Sequence, residues 1–152
     1  MAIEGTTPEQ AGLQGPVTIP PMRRLMVVPS RLPIPSNDWQ TLVATRVNTV
    51  VIGREDAALR VWTAVWPSLQ KPIHWADGDN LLLPRDPAGT LILQDADRLT
   101  SSAQQQLFAW LHDDVRATRV LTTTTRALFP MVEEGAFHAG LYYRLNVLLL
   151  EL

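Results

Sequence analysis

The sequence predicts an α/β fold, a three-layer domain with a mainly parallel five-stranded sheet. Short apolar runs, several of them rich in β-branched residues, alternate along the chain with longer segments of helical spacing. This alternation favours parallel strands with helices on both faces of the sheet and right-handed crossovers. The runs predicted as strands are Thr49–Ile52, Pro72–Trp75, Leu91–Gln94, Arg119–Thr123 and Asn146–Leu152.

The first half of the predicted domain contains one helix and one turn. Gly53 closes the first strand, and Glu55–Trp66 then places apolar residues at helical spacing. Pro67 ends this helix because proline lacks the amide donor that a helix interior needs. Asp77–Asn80, read Asp-Gly-Asp-Asn, is predicted as a turn because these residue types tolerate left-handed backbone conformations.

The second half of the domain contains three predicted helices. Ser101 and Gln104 have the spacing of a capping box, so we expect them to begin a helix. Its apolar stripe consists of Ala103, Leu107, Trp110 and Leu111. Ala127–Glu134 and His138–Arg144 predict two short helices, which Gly135 separates.

Composition limits the classes of function. Of the 152 residues, 46% are apolar and 18% are charged, which is typical of one ordered globular domain. The net charge of −2 gives no general basic field for nucleic acid, and the lack of cysteine excludes disulfides and thiolate metal sites. No apolar run approaches the roughly 20 residues that span a bilayer. We therefore expect a cytoplasmic protein without a membrane segment.

Residues 1–36 differ in composition from the rest of the chain. They contain seven of the twelve prolines and three of the eight glycines, so we expect little regular structure there beyond a short strand at Leu25–Val28. We interpret residues 1–36 as a tail or linker and residues 37–152 as the α/β domain.

Glycine and polar residues follow three of the predicted strands directly. Gly53 follows the first, Asp95 the third, and Thr123–Arg126 ends the fourth. Because ligands of parallel sheets bind beyond the carboxyl ends of the strands, we expect these residues to lie together. Gln94 precedes the acidic Asp95 where a magnesium-holding carboxylate would stand, and an amide lacks the negative charge that a hard cation favours.

Several segments in the same order carry a resemblance to a known family. They are Ala88-Gly-Thr-Leu91, Arg119-Val-Leu-Thr-Thr-Thr-Thr-Arg-Ala-Leu128, Glu134-Gly-Ala-Phe137 and Leu141-Tyr-Tyr-Arg-Leu-Asn-Val147. They resemble the GGTL, RVIAATNRDL, EGxF and LYYRLNV signatures of the AAA+ ATPase domain of sigma-54-dependent transcription activators. The resemblance covers about residues 40–152 and implies a P-loop NTPase core that here lacks the helical lid following it in the family.

The phosphate-binding loop that this resemblance implies is altered. Its pattern, G-x-x-x-x-G-K-[ST], uses glycines to expose backbone N–H groups and a lysine to reach the terminal phosphates. With Gly53 as the first glycine, the later positions hold Ala58, Leu59 and Arg60, so leucine replaces the Walker A lysine. Arg60 remains a candidate for phosphate binding, one residue late and on a different helical face.

The Walker B and sensor positions are altered as well. Gln94 and Asp95 stand where the family has Asp-Glu, and the shorter Asp95 disfavours contact with the attacking water. Either weak magnesium coordination or simple solvation of a strand end fits this pair, and the missing lysine favours solvation. Thr125, followed by Arg126, replaces the asparagine of the family's sensor strand.

The resemblance also implies a role for Arg144. It occupies the position of an arginine finger that acts on the nucleotide of a neighbouring subunit, and His138 replaces its companion arginine. An ion pair with a nearby carboxylate fits Arg144 equally. The segments His112–Asp114 and His74–Asp79 contain metal-ligand residue types, but a helix C-terminus and a polar loop account for them.

The resemblance with these departures predicts a degenerate AAA+ domain with a regulatory or protein-interaction role and little or no ATP hydrolysis. The family's GAFTGA loop, which touches sigma-54, should lie between Lys71 and Gly89, and that segment is too short to hold it. We expect a protein partner, either a second copy or a related AAA+ activator, without direct sigma-54, DNA or membrane contact and without a cofactor or metal. The alternative is a slow or ligand-gated ATPase that binds Mg-ATP and activates sigma-54-dependent transcription.

Overall fold

A computed structural model describes residues 34–85, 88–112 and 118–152. Within them, five strands and five α-helices follow one another along the chain. The strands are β1 (Thr49–Ile52), β2 (Ile73–Asp77), β3 (Thr90–Gln94), β4 (Arg119–Thr124) and β5 (Leu148–Glu151). The helices are α1 (Ser36–Ala44), α2 (Glu55–Val65), α3 (Ser101–His112), α4 (Phe129–Glu133) and α5 (Ala139–Leu145). The predicted strand Leu25–Val28 lies outside the described residues.

The five strands form one sheet in the order β2-β3-β4-β1-β5, and every described pairing is parallel. This confirms the predicted α/β class with its parallel five-stranded sheet. The register places Leu93 of β3 beside Thr122 of β4, and Val51 of β1 beside Thr123. The carboxyl ends of β1, β3 and β4 therefore meet at one edge of the sheet.

Two hydrophobic clusters cover the two faces of the sheet. Alternate residues of one strand point to opposite faces, so Leu91 and Leu93 join one cluster and Ile92 joins the other. The first cluster packs against α3, α4 and α5, through Leu107, Met131, Leu141 and Leu145 among others. The second packs against α1 and α2, through Leu42, Val61, Trp62 and Val65 among others. This is the three-layer arrangement that the alternating pattern predicts.

Two details of the helices differ from the predictions. Sequence analysis did not predict α1, which begins at Ser36 and fully buries only Leu42, so its apolar periodicity is weak. The predicted capping box at Ser101 is wrong. Thr100 caps α3 instead, because its Oγ1 accepts a hydrogen bond from the Ala103 N–H at 3.1 Å.

Among the described helices, none combines the length and the apolar character that a membrane crossing needs.

Candidate functional site

The connection between β1 and α2 is unusually short for a phosphate site. Gly53 and Arg54 alone join the strand to the helix. The Gly53 N–H donates to the Thr124 carbonyl at 3.0 Å, and the Ala58 N–H donates to the Arg54 carbonyl at 3.0 Å as part of the first helical turn. A phosphate loop instead directs several backbone N–H groups at the ligand. Helix α2 thus takes up the positions that such a loop would need.

A small cavity lies at the edge where β1, β3 and β4 end. The predicted residues Gly53, Leu59, Gln94, Asp95 and Thr125 all line it, so the structure brings these positions together. Its volume of about 80 Å³ has room for a few water molecules. Ligand pockets for larger molecules usually enclose about 300 Å³ or more.

The charged side chains that line this cavity are all acidic. They are Glu55, Asp77 and Asp95, and no lysine or arginine is among the described lining residues. Burial raises the pKa of the Asp95 carboxyl, and the neighbouring charges of Asp77, Asp97 and Glu55 raise it further, against an opposing effect of Arg98. This cavity therefore carries an excess of negative charge, and we call it the acidic cavity.

Sequence reasoning missed Glu55 and Asp77 as members of the acidic cavity. Glu55 is the first residue of α2, where the helix dipole favours a negative charge. The dipole therefore explains an acidic residue at this position without any ligand. Asp77 ends β2, the edge strand next to β3, and reaches the cavity through the pairing of Asp77 with Gln94. The position of Asp77 just after a predicted strand was the available signal. It indicates the cavity only if β2 is known to lie next to β3.

Replacing Asp95 by asparagine should raise the melting temperature at pH 7. The pKa of Asp95 is raised in the folded state, so the folded protein binds this proton more tightly than the unfolded chain does. The free energy of unfolding therefore falls as pH rises from the usual pKa of 3.8 through the raised pKa of the folded state. Asparagine removes that cost, so the gain should vanish below pH 3.8. Thermal unfolding followed by circular dichroism at pH 7 and pH 3 measures the difference. A gain that is independent of pH would contradict the electrostatic cause and point to the left-handed backbone at φ 51°.

The sensor-like residues Thr125 and Arg126 are tied to Asp97. The Thr125 hydroxyl donates to Asp97 Oδ2 at 3.3 Å, and Arg126 Nε lies 3.5 Å from the same oxygen. Thr124 Oγ1 donates to Asp97 Oδ1 at 3.1 Å. Sequence analysis did not single out Asp97, which lies in the short 3₁₀ turn Ala96–Arg98 after β3. The carboxylate of Asp97 thus accepts hydrogen bonds from two hydroxyls at the end of β4 and pairs with the Arg126 guanidinium.

Arg60 does not reach the acidic cavity. It is on the exposed side of α2, 47% of its side chain is accessible, and its Nη2 lies 3.6 Å from Asp56 Oδ2. The buried positions of α2 are Ala58, Val61, Trp62 and Val65, so residue 60 faces solvent when these face the sheet. The structure thus separates Arg60 from Gly53, with which it was grouped as a candidate phosphate ligand.

Arg144 and His138 both contact α3, and neither lines the acidic cavity. Arg144 Nη1 donates to the Leu111 carbonyl at 3.2 Å, and its guanidinium carbon lies 5.8 Å from the Phe108 ring centre. His138 Nδ1 accepts the Leu141 N–H at 3.0 Å and so caps α5. Its ring centre is 4.5 Å from that of Phe108. Both side chains therefore help to pack α5 on α3.

The segments with metal-ligand residue types do not assemble a site in the described part of the chain. Within it, no group of three or more histidine, aspartate or glutamate side chains is placed to hold a metal ion. Nε2 of His74 is buried and has no hydrogen-bond partner there. The His112 side chain and residues 113–114 lie outside the described part.

Solved structures with the same fold include those of three bacterial proteins. NtrX from Brucella abortus in complex with ADP aligns with a TM-score of 0.60 at 17% identity, over 76% of this chain and 35% of NtrX. The P-loop NTPase domain of the sigma-54 transport activator from E. coli aligns with a TM-score of 0.51 at 17% identity, over 75% of this chain and 93% of that domain. The Thermotoga maritima RuvB Holliday junction branch migration motor aligns with a TM-score of 0.50 at 17% identity, over 78% of this chain and 45% of RuvB. The chain thus spans about a third of NtrX, and these identities establish the fold alone.

Sequence comparison adds the family. No match was found among curated protein sequences. The family model of the sigma-54 interaction domain matches residues 66–152, which include β2 to β5 and α3 to α5. Because this segment is more than half of the chain and has the AAA+ P-loop NTPase fold of the structural neighbours, the protein belongs to the sigma-54 interaction domain family.

Proposed function

We propose that this protein is a degenerate AAA+ domain that acts in transcription control through protein contacts, with little or no ATP hydrolysis. The two-residue connection of β1 to α2, followed by a first helical turn with Glu55 and Asp56, carries this proposal. In a working phosphate site, the same helix N-terminus is left open for a polyanion. Here two carboxylates, Glu55 and Asp56, lie in that first turn and disfavour a polyanion.

The charge of the acidic cavity supports the same proposal. A nucleoside triphosphate would bring several negative charges next to Glu55, Asp77 and Asp95, and no basic side chain lines the cavity among the described residues. Like charges in a partly desolvated site repel strongly because the effective dielectric constant is lower than that of water. Even without a ligand, the pKa of Asp95 is raised, first by burial and then by the charges of Asp77, Asp97 and Glu55.

The catalytic positions are also poorly arranged for hydrolysis. Asp95 has a left-handed backbone at φ 51°, and its N–H donates to Thr123 Oγ1 at 3.3 Å. Its side chain is a methylene shorter than glutamate, so it reaches less far toward an attacking water. Thr125 and Arg126 contact the carboxylate of Asp97, which competes with contact to a γ-phosphate.

Exposed apolar side chains support a role in protein contacts. Phe129 is 44% exposed, Tyr143 65% and Val147 60%, all in or next to α4 and α5. Large exposed apolar side chains that occur together are typical of interaction surfaces. The proposed partner is a second copy of this chain or a related AAA+ activator, and sedimentation of the protein alone and mixed with such an activator distinguishes the two.

Calorimetric titration with Mg-ATP tests the nucleotide part of the proposal. We expect no saturable binding with a Kd below about 1 mM, the value that corresponds to a binding free energy of about −4 kcal/mol. We also expect no phosphate release above background. Micromolar binding with turnover that is lost in Asp95→Ala would overturn the proposal and establish the ATPase alternative. Asp79→Ala is the matched control, because Asp79 pairs with Arg98 at 3.2 Å and does not line the acidic cavity.

A further inference from the structure

Strand β5 lies at one edge of the sheet and has a free outer side in the described part of the chain. It pairs with β1 on its inner side, and no other described strand pairs with it. The Leu148 N–H and the Leu152 N–H both donate toward β1, at 3.1 and 2.9 Å. Because successive residues of a strand direct their N–H groups to opposite sides, the N–H groups of Leu149 and Glu151 face the outer side.

The outer side of β5 offers apolar neighbours on both faces of the sheet. Leu148 and Leu150 belong to the cluster that packs against α1 and α2, whereas Leu149 lies on the opposite face and is 41% exposed. Edge strands with unpaired backbone groups are templates for a further strand. A strand added here would have apolar neighbours on both of its faces, and a continuous apolar run suits such a position better than an alternating one.

The chain enters the domain at this same edge. Its first described residue, Ile34, packs against the cluster that contains Leu148 and Leu152. Ile34 and Pro35 also line a cleft of about 360 Å³ together with residues 149–151. Because consecutive residues of a strand point to opposite faces, a cleft that all three line follows the edge of β5 rather than one face. The covalent connection therefore holds the residues before Ile34 next to the outer side of β5.

A continuous apolar run precedes this entry point at a suitable distance. Leu25–Val28, read Leu-Met-Val-Val, is the segment that the sequence predicts as a strand, and Pro29 follows it directly. Five residues separate Val28 from Ile34 and can span roughly 20 Å when extended. The four residues of β5 extend over about 13 Å. The segment can therefore reach β5 in any register.

The charges of the edge and of the segment are complementary. Asp38 and Glu151 are the charged residues that line the cleft among those described, and both are acidic. The sequence from residue 20 to residue 33 contains Arg23, Arg24 and Arg31 and no acidic residue. Opposite charges of this kind add little affinity at a surface, but they favour one partner and one orientation over others.

We propose that Leu25–Val28 pairs with the outer side of β5 in the same molecule and forms a sixth strand of the sheet. The added strand accepts hydrogen bonds from the Leu149 and Glu151 N–H groups and covers the exposed Leu149. It also removes a free edge at which two copies of the sheet could associate. This pairing does not depend on whether the acidic cavity binds nucleotide.

Hydrogen exchange of single amides, measured by NMR on the full chain, tests the pairing. We expect the Leu149 and Glu151 amides to exchange at least about tenfold more slowly than freely exposed amides, because each is hydrogen-bonded to the added strand. The double variant Met26→Pro with Val27→Pro should lose this protection. One of these two neighbouring N–H groups faces β5 in any register, and proline has none. The Leu148 amide, which donates toward β1, should stay protected.

The double variant Leu13→Pro with Gln14→Pro is the matched control, because it places two prolines before Ile34 but outside the proposed strand. Circular dichroism verifies that both variants are folded. Fast exchange of the Leu149 and Glu151 amides in the unmodified chain, or an equal loss of protection in the control, would overturn the proposal. Protection that rises with protein concentration, together with a dimer in sedimentation, would also overturn it and assign the edge to a second copy.

Discussion

Replacing Gln104 by leucine lowers the free energy of unfolding by about 3 kcal/mol, because several buried backbone groups lose their only described partner. Gln104 is 3% exposed. Its Nε2 donates to the carbonyls of Leu99 at 3.0 Å and Ala136 at 3.1 Å, and its Oε1 accepts the His138 N–H at 2.7 Å. One side chain thus joins the start of α3 to the segment before α5. Leucine fills a similar volume but cannot satisfy any of these groups.

Urea denaturation of Gln104→Leu against Gln105→Leu measures this effect. Gln105 is the next residue of α3 and is exposed, so its replacement adds the same leucine without breaking a buried contact. We expect the control to change stability by less than about 0.5 kcal/mol. Equal losses in the two variants would show that Gln104 does not stabilise the fold through its amide.

Replacing Gly89 by alanine lowers the free energy of unfolding by about 3 kcal/mol or more, or prevents folding. Gly89 has a φ of +93°, a backbone angle that residues with a side chain rarely adopt. A Cβ at this position would overlap the Pro72 carbonyl oxygen and lie 2.7 Å from the Pro72 nitrogen. Both contacts are with backbone, which cannot rotate away. Since the Pro72 carbonyl also accepts the Thr90 N–H at 2.9 Å, the clash would disturb the start of β3 beside β2.

Gly135→Ala separates the clash from the strain of the backbone. Gly135 also has a positive φ, of +74°, but a Cβ there would meet no atom within 4 Å. We expect this variant to lose only about 1 kcal/mol, the usual cost of a left-handed alanine. Urea denaturation compares the two. A Gly89→Ala variant as stable as Gly135→Ala would mean that the β2–β3 contact gives way easily.

The acidic cavity is the reason why we propose a chemistry different from that of an ATPase for this member of the family. The fold brings the ends of β1, β3 and β4 together at one edge, because these neighbouring strands are parallel and in register. Binding of phosphate at that edge depends on a few atoms: free N–H groups, a lysine and a carboxylate for magnesium. The resemblance assigns Leu59 and Gln94 to two of those positions, and the proposal of a degenerate site rests on this assignment together with the short β1–α2 connection.

The strands could be predicted from sequence because a strand buried on both faces needs a continuous apolar run. Val50 and Val51, and likewise Leu91 to Leu93, are almost fully buried, and their runs end at Gly53 and Asp95. Helix α1 could not be predicted in this way. It buries a single residue completely, Leu42, and its packing against β5 depends on a contact distant in sequence.

The partners of single side chains could not be predicted for a related reason. Arg126 lies next to Asp97 only because β4 pairs with β3, and Arg144 reaches the Leu111 carbonyl only because α5 packs on α3. The sequence marks each of these as a charged residue near a motif. Neither residue's partner is nearby in sequence, so the pattern alone leaves ligand, ion pair and helix cap as equal possibilities.

By itself, the sequence determined the α/β class, the parallel sheet and the polar residues at the strand ends, because apolar periodicity and residue identity are local properties. Tertiary structure alone decided that Glu55, Asp77 and Asp95 share one acidic cavity and that Arg119 is a buried cation. These properties arise from charges on different elements, and their energies depend on distance and burial. Strand order and register set those distances, and they are fixed only when the whole chain folds.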